Sequence, residues 1–471
     1  MKRRDFFRNT TAAALSTSLV GSGRAAEANL STSKGKRAQN IIFMVSDGMS
    51  TGTLNMADLL RQRKEGRSSN WLGLYRNNRV RRALMDTASA SSLITDSAAA
   101  SSAWGGGVRV NNGALNVGPD GQAHRPILQK FKQAGKAVGC VTTVPITHAT
   151  PAGFCINSKS RGSMADIAEQ YLGLRFDVMM GGGTEQFSAD KRADKKDLFS
   201  QFSQQGYQVA QTRAAMLGAP AGQPLLGVFH EDGLPYSLDR ANNTDLQKTI
   251  PTLAEMTSTA ISRMQANKNG FVLQVEGGKV DWGAHANDVG ALLYDQLAFD
   301  DAVQVAVDFA DRDGNTLVVI TTDHGNSDPA LLYGPQANAN FDRIQQFRHT
   351  NEWILTGISK DSTPAQLIER IEAAQGIVIK ADEAAGLLTH YSQLDETGVY
   401  NPRKLPYRQL AALQTAHTSV GWAGMDHTAD FVELAMLGPG SEQLPGLVKN
   451  TDLHNFLLKA AEVDHQTVDA K

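Results

Sequence analysis

Asp323 and His324 stand side by side at the end of an apolar run, Leu317-Val318-Val319-Ile320-Thr321-Thr322. A strand ending in a carboxylate and an imidazole offers two metal ligands at the carboxyl edge of a sheet, where α/β proteins place their chemistry. Three other segments share this design: Ile41-Ile42-Phe43-Met44-Val45-Ser46 leading to Asp47, Phe271-Val272-Leu273-Gln274-Val275 leading to Glu276, and Asp281 with His285 just beyond. Asp281 and His285 are four apart, close enough to reach one ion, and the glycines around them leave room for a ligand. Enzymes assemble metal sites from residues far apart in sequence. These groups therefore predict one polynuclear site, and the chemistry expected of it is two-metal phosphoryl transfer.

A candidate nucleophile lies in Asp96-Ser97-Ala98-Ala99-Ala100-Ser101-Ser102-Ala103-Trp104. The pattern puts Ser97 at the start of a helix, whose free N–H groups attract a phosphate oxygen and ease ionisation of the hydroxyl. Asp-Ser before alanines is equally an ordinary helix cap, so this segment alone decides nothing. Thr147-His148-Ala149-Thr150-Pro151 follows another strand-like run, with Arg161 further along. An arginine fork can hold two nonbridging oxygens of a phosphate monoester, and a single arginine is equally a surface residue.

The elements that must position these groups alternate along the chain. Strand-like runs cover residues 40–46, 137–143, 177–180, 225–229, 271–276, 317–322 and 431–437. Most are short and continuously apolar, as strands covered on both faces are. Phe299, Val303, Ala306 and Ala310 form one stripe of a long helix over about 288–311. This order predicts an α/β fold of three layers, a mostly parallel central sheet with helices on both faces. Two regions break the rhythm: the Arg-rich residues 61–82, and residues 329–415 with a helix-like 363–374 and a strand-like 377–379. The second reads as an insertion that decorates the sheet edge or makes a subunit contact. Trp104-Gly105-Gly106-Gly107 and Met180-Gly181-Gly182-Gly183 lack the spacing of phosphate loops and read as turns.

With 471 residues, 41% of them hydrophobic, the chain can bury a large core, which excludes disordered and fibrous classes. Arg3-Arg4-Asp5-Phe6-Phe7, a weakly apolar stretch and Ala26-Glu27-Ala28 give residues 1–28 the layout of a twin-arginine export signal. The expected product is a soluble periplasmic or secreted domain, residues 29–471, without a membrane span. Five basic and two acidic residues fall within 1–28, so the remainder carries a formal charge of −5. No basic surplus exists to recruit nucleic acid, and no nucleic-acid-binding module is expected. Of the two cysteines, Cys140 sits in a strand-like run as a small hydrophobe, and a Cys140–Cys155 disulfide is the alternative in an oxidising compartment.

Taken together, Asp47-Gly48-Met49, Asp96-Ser97-Ala98-Ala99, Ala149-Thr150-Pro151 with Arg161, Val275-Glu276-Gly277, Asp281 with His285, Asp323-His324 and a late His-Thr resemble the alkaline phosphatase family. The resemblance implies hydrolysis of phosphate monoesters through a phosphoserine on Ser97, with Arg161 clamping the phosphate. It implies two zinc ions and one magnesium per chain. One zinc would be held by Asp281, His285 and the late His, the other by Asp47, Asp323 and His324, and the magnesium by Asp47, Thr150 and Glu276. His-Thr occurs at His349, His417 and His427, and the residues alone do not choose among them. The family pattern favours His427, with His417 second. His148 and Trp282 stand where the best-known bacterial members have Asp and Lys, and both are expected beside the substrate. The family is commonly dimeric, which is the ground for expecting a homodimer. A sulfatase would need Pro and Arg where Ala99 and Ser101 stand. A phosphodiesterase of the same superfamily and a non-catalytic periplasmic phosphate or metal binder are the alternatives.

Overall fold

The structure, a computed structural model, describes residues 37–392, 394 and 404–464. The export-signal reading of residues 1–28 lies outside them. Fourteen strands are described: β1 (Asn40–Ser46), β2 (Arg81–Met85), β3 (Ala137–Pro145), β4 (Val178–Gly182), β5 (Gln208–Ala210), β6 (Leu225–Val228), β7 (Phe271–Gly277), β8 (Thr316–Thr321), β9 (Gly325–Asn326), β10 (Ala330–Leu331), β11 (Val420–Gly421), β12 (His427–Thr428), β13 (Val432–Leu437) and β14 (Leu447–Val448). Ten of them make one sheet in the order β14-β2-β13-β8-β1-β7-β3-β4-β6-β5, in which only β13 runs antiparallel to its neighbours.

β1 is buried along its whole length because helices cover both faces. Alternation along it divides the core: Ile42 and Met44 join the layer of helix Val289–Asp313, while Ile41, Phe43 and Val45 join the layer of helices Ser97–Gly106 and Ala149–Cys155. The three-layer parallel architecture is as expected. Helix Val289–Asp313 starts from an Asp288 cap, and Phe299, Val303, Ala306 and Ala310 are buried on it. In the second layer Phe43 sits 5.1 Å from both Trp104 and Phe154, tying the two helices that flank the site to the central strand.

Several expectations need correction. The Arg-rich stretch does not interrupt the fold, since it continues helix Thr51–Glu65 and contains helix Asn70–Arg76. Its arginines are held there, Arg61 by Asp301 at 2.5 Å and Arg76 by the buried Asp58 at 2.6 Å. Trp104, Gly105 and Gly106 are helical, and only Gly107, at φ 73°, turns the chain. Met180, Gly181 and Gly182 close β4, with the turn at Gly183. Residues 377–379 form no strand. Their alternation buries Ile377 and Ile379 without a pairing partner. Among the described residues of 329–415 helices predominate, and Phe341, Ile344, Ile354, Leu355, Leu367 and Ile371 join the core cluster of helix Val289–Asp313. Cys140 and Cys155 are buried free thiols with Sγ atoms 3.6 Å apart.

Candidate active site

The register of the central strands brings the ligands to one level. Val45 pairs with Glu276 of β7 and with Thr321 of β8, so Asp47, Glu276 and Asp323 leave adjacent strands at the same carboxyl edge. The turn after β1 is tight: Gly48 has φ 64°, and a Cβ there would stand 2.4 Å from Asp281 Oδ1. A side chain at that position would push away the short helix Lys279–His285 that carries Asp281 and His285. His427 arrives on β12, which pairs antiparallel with β9 immediately after Asp323-His324. His349 is bound instead to Asp239, at 2.9 Å, and His417 ends helix Tyr407–Thr418.

Ser97 opens helix Ser97–Gly106, and Asp96 caps it by accepting from the Ala99 amide at 2.9 Å. The hydroxyl Oγ lies 3.4 Å from His324 Nε2. Arg161 reaches the same space. One of its Nη atoms donates to Asp96 at 3.0 Å and the other to His148 Nε2 at 3.1 Å, which leaves further N–H groups for an incoming oxyanion. Burial, then the charge of Arg161, pushes the His148 imidazole down to about 3, so it is neutral. Because Nε2 accepts from a guanidinium, the ring proton of His148 sits on Nδ1. Trp282 stands edge-on to His148, ring centroids 6.1 Å apart.

The imidazoles share one orientation. Nδ1 of His285 faces the Met425 carbonyl at 2.6 Å, that of His427 faces the Thr95 carbonyl at 2.8 Å, and that of His324 faces Gly325 at 3.2 Å. Carbonyl oxygens only accept, so each Nδ1 carries a proton, which turns each Nε2 toward the cluster and, in a neutral ring, leaves its lone pair there for a cation. The Nε2 atoms of His285 and His427 are 3.1 Å apart, and Asp281 oxygens lie 3.4 and 3.7 Å from them. His324 Nε2 stands 3.6 Å from Asp47 and 3.3 Å from Asp323. Asp47 Oδ1, Asp323 Oδ2 and Glu276 Oε1 are buried without a hydrogen-bond partner. Burial, followed by the charges of Asp323, Asp281 and Glu276, raises the Asp47 carboxyl well above its ordinary range; burial likewise lifts Glu276 to about 7 against the pull of Thr142. Converging lone pairs and orphaned buried carboxylates repel one another unless cations stand between them, so the residues fit a multi-metal centre. Ligand atoms of Asp281, His324 and His427, and of Asp47, Asp323 and His324, each fall within 4.8 Å of one another; His148 comes as near to Asp47 and Glu276, but with Nδ1 protonated and Nε2 on Arg161 it has no lone pair to offer in this arrangement. Thr150 adds a hydroxyl 3.4 Å from Asp47 Oδ2.

A profile of the family described as alkaline phosphatase matches residues 38–463. The chain belongs to the alkaline phosphatase family. It is 31% identical to alkaline phosphatase 4 of Bacillus subtilis over 429 residues, covering 89% of this chain and 88% of that one. The crystal structure of Thermus thermophilus alkaline phosphatase superposes with a TM-score of 0.85 at 32% identity, over 95% of this chain and 96% of that one. A cold-active alkaline phosphatase from a Shewanella species gives 0.76 at 25% identity, over 90% and 99%. Like its family, the protein is a metal-dependent phosphomonoesterase, and its substrates are phosphate monoesters.

All the anticipated site residues converge, and several participants were not anticipated. Asn326 donates to Asp281 Oδ1 at 2.7 Å, Thr142 donates to Glu276 Oε2 at 2.5 Å, and Asp96 anchors Arg161 as well as capping the helix. Thr142 had a signal in hindsight: a hydroxyl one strand away from Glu276, on the same face, at the end of an apolar run. Asn326 had none, because its role depends on a two-residue ladder.

Proposed function

We propose that Ser97 is the nucleophile of this phosphatase and that Arg161 is its phosphate clamp. Asp281, His285 and His427 hold one zinc, Asp47, Asp323 and His324 a second, and Asp47, Thr150 and Glu276 a magnesium. The ligand chemistry supports this division, since imidazoles suit zinc and an all-oxygen set suits magnesium. When bound, the cations act as Lewis acids, lowering the pKa of the serine hydroxyl and of water and offsetting phosphate charge.

The chain's own groups do the rest. The Ala-rich helix directs Ser97 Oγ at the phosphorus and its free amide N–H groups at the phosphate oxygens. A bond forms from Oγ to phosphorus while the ester P–O bond breaks, and the leaving alkoxide takes up a proton. Water then attacks the phosphoserine, the Oγ–P bond breaks, and inorganic phosphate departs as Ser97 regains its hydrogen. Arg161, held by Asp96 and His148, keeps two nonbridging oxygens in place through both displacements. His148 serves in this scheme as the orienting partner of Arg161, its Nε2 being spent on the guanidinium, and Trp282 walls the same side.

The observation that carries the reading is Ser97 Oγ beside His324 Nε2 at the mouth of the carboxylate cluster. The test is turnover of a chromogenic phosphomonoester by holoenzyme. Ser97→Ala should lose activity on the order of 10³-fold or more. Retention within about tenfold would assign the nucleophile elsewhere.

The same reading takes residues 1–28 as an export signal and residues 29–471 as a catalytic domain with an insertion at about 329–415, acting as a periplasmic or secreted homodimer. Its support is Arg3-Arg4 with Ala26-Glu27-Ala28 and the habit of the family. Among the described residues no helix is long and apolar enough to cross a membrane.

A further inference from the structure

Helix Lys279–His285, which presents Asp281 and His285 to the metal cluster, also carries Lys279 and Trp282 one turn apart. Lys279 is 3% exposed, and its ammonium lies 3.6 Å from the centroid of the Tyr236 ring and 4.4 Å from that of Trp282. A buried cation between two aromatic faces is held by their quadrupoles and in turn holds the rings. The helix itself is pinned at this point, the Lys279 amide donating to Thr143 Oγ1 at 3.0 Å. Residues 233–236 close the clamp from the other side. At Gly233 an added Cβ would stand 2.8 Å from Trp282 Cζ3 and 3.4 Å from Lys279 Cδ, so nothing larger than hydrogen fits between that loop and the indole. Trp282 packs in a T-shaped arrangement with His148, whose Nε2 accepts from Arg161.

We propose that Lys279 is a positioning residue for phosphate binding: its ammonium, clamped between Tyr236 and Trp282, fixes the indole against His148 and, through His148, the Arg161 guanidinium. This rests on the assignment of Arg161 as the phosphate clamp. Lys279 touches no reacting atom and acts only through its neighbours.

The test compares zinc- and magnesium-loaded wild type with Lys279→Met, which keeps the stem and removes the charge, and Lys279→Arg, which keeps the charge. In Lys279→Met, KM for a chromogenic phosphomonoester and the inhibition constant for inorganic phosphate should rise together, about fivefold, and kcat should change less than KM. Lys279→Arg should return both to within about twofold of wild type. The Trp282 emission, isolated as the difference between each protein and its Trp282→Phe counterpart, should shift in Lys279→Met and not in Lys279→Arg. Should Lys279→Met fail to fold, Tyr236→Leu removes one wall of the clamp and should move the phosphate constant the same way. Unchanged phosphate binding in the folded variant, or equal losses in Met and Arg, overturns the proposal. An Arg161→Ala variant whose inhibition constant for phosphate matches wild type would sink the clamp assignment instead, which separates the two failures.

Discussion

Asp96 holds both the helix of Ser97, the proposed nucleophile, and Arg161, the proposed phosphate clamp, with one carboxylate. It accepts from the amides of Ala99 and Gly113 and from Arg161, all at 2.9–3.0 Å. Asn caps a helix as well as Asp but lacks the charge that answers a guanidinium. Asp96→Asn keeps an acceptor for the Ala99 amide but turns an NH2 toward the Gly113 amide and Arg161, so it should lower stability by about 1–2 kcal/mol while KM and the phosphate inhibition constant rise about tenfold. Unaltered constants would show that Arg161 needs no anchor. At this scale the proposed ligands were legible as a cluster, because a metal site demands carboxylates and imidazoles and strand ends are where a sheet displays them. Asp96 was legible only as a cap, since its second partner is 65 residues away in sequence. Lys279 gave no sign at all, because a lysine among glycines reads as solvent-facing until Tyr236 and Trp282 are folded over it.

Between elements, the critical approach is that of helix Ser97–Gly106 to helix Ala149–Cys155, which carry Ser97 and Thr150. Gly105 lies at the crossing, and a Cβ there would stand 1.9 Å from the Gly153 carbonyl oxygen. Ser101 closes the same seam by donating to the Ala149 carbonyl at 3.0 Å. Gly105→Ala should force the helices apart, lowering stability by about 3 kcal/mol and reducing kcat/KM at fixed metal content. A variant as stable and active as wild type would mean that the seam does not set the spacing. The central strands could be read because burial on both faces leaves continuous apolar runs. β2, with Arg81 and Arg82 exposed, and the short β5 and β14 could not, since near a sheet edge the apolar run dissolves into mixed residues. Residues 377–379 mimic a strand because burial of alternate isoleucines needs only a surface to lie on, not a neighbour to pair with.

For the whole molecule, the layer built on helix Val289–Asp313 buries charge at a cost that depends on pH. Asp295 accepts from the Ser237 amide and hydroxyl, at 3.0 and 3.1 Å, and burial raises its carboxyl from an ordinary 3.8 to about 7. The folded state therefore binds one more proton than the unfolded chain between those values. Its stabilising share is complete below about pH 4, declines as pH rises toward 7, and is gone above that. Asp295→Asn should flatten this decline. The difference in unfolding free energy between variant and wild type should move in the variant's favour by on the order of 2–4 kcal/mol between pH 4 and pH 8. Parallel pH profiles would mean the carboxyl is not held protonated. Helices among the described residues of 329–415 join this same core cluster, a placement their mixed composition did not announce because they complete a core supplied mostly by other segments.

The central claim, that Ser97 becomes phosphorylated among buried carboxylates and imidazoles, has one direct measurement. Holoenzyme is incubated with labelled inorganic phosphate at mildly acidic pH, quenched, digested and mapped. Label is expected on the peptide bearing Ser97 and none in Ser97→Ala. Label on another residue, or undiminished labelling of Ser97→Ala, contradicts it.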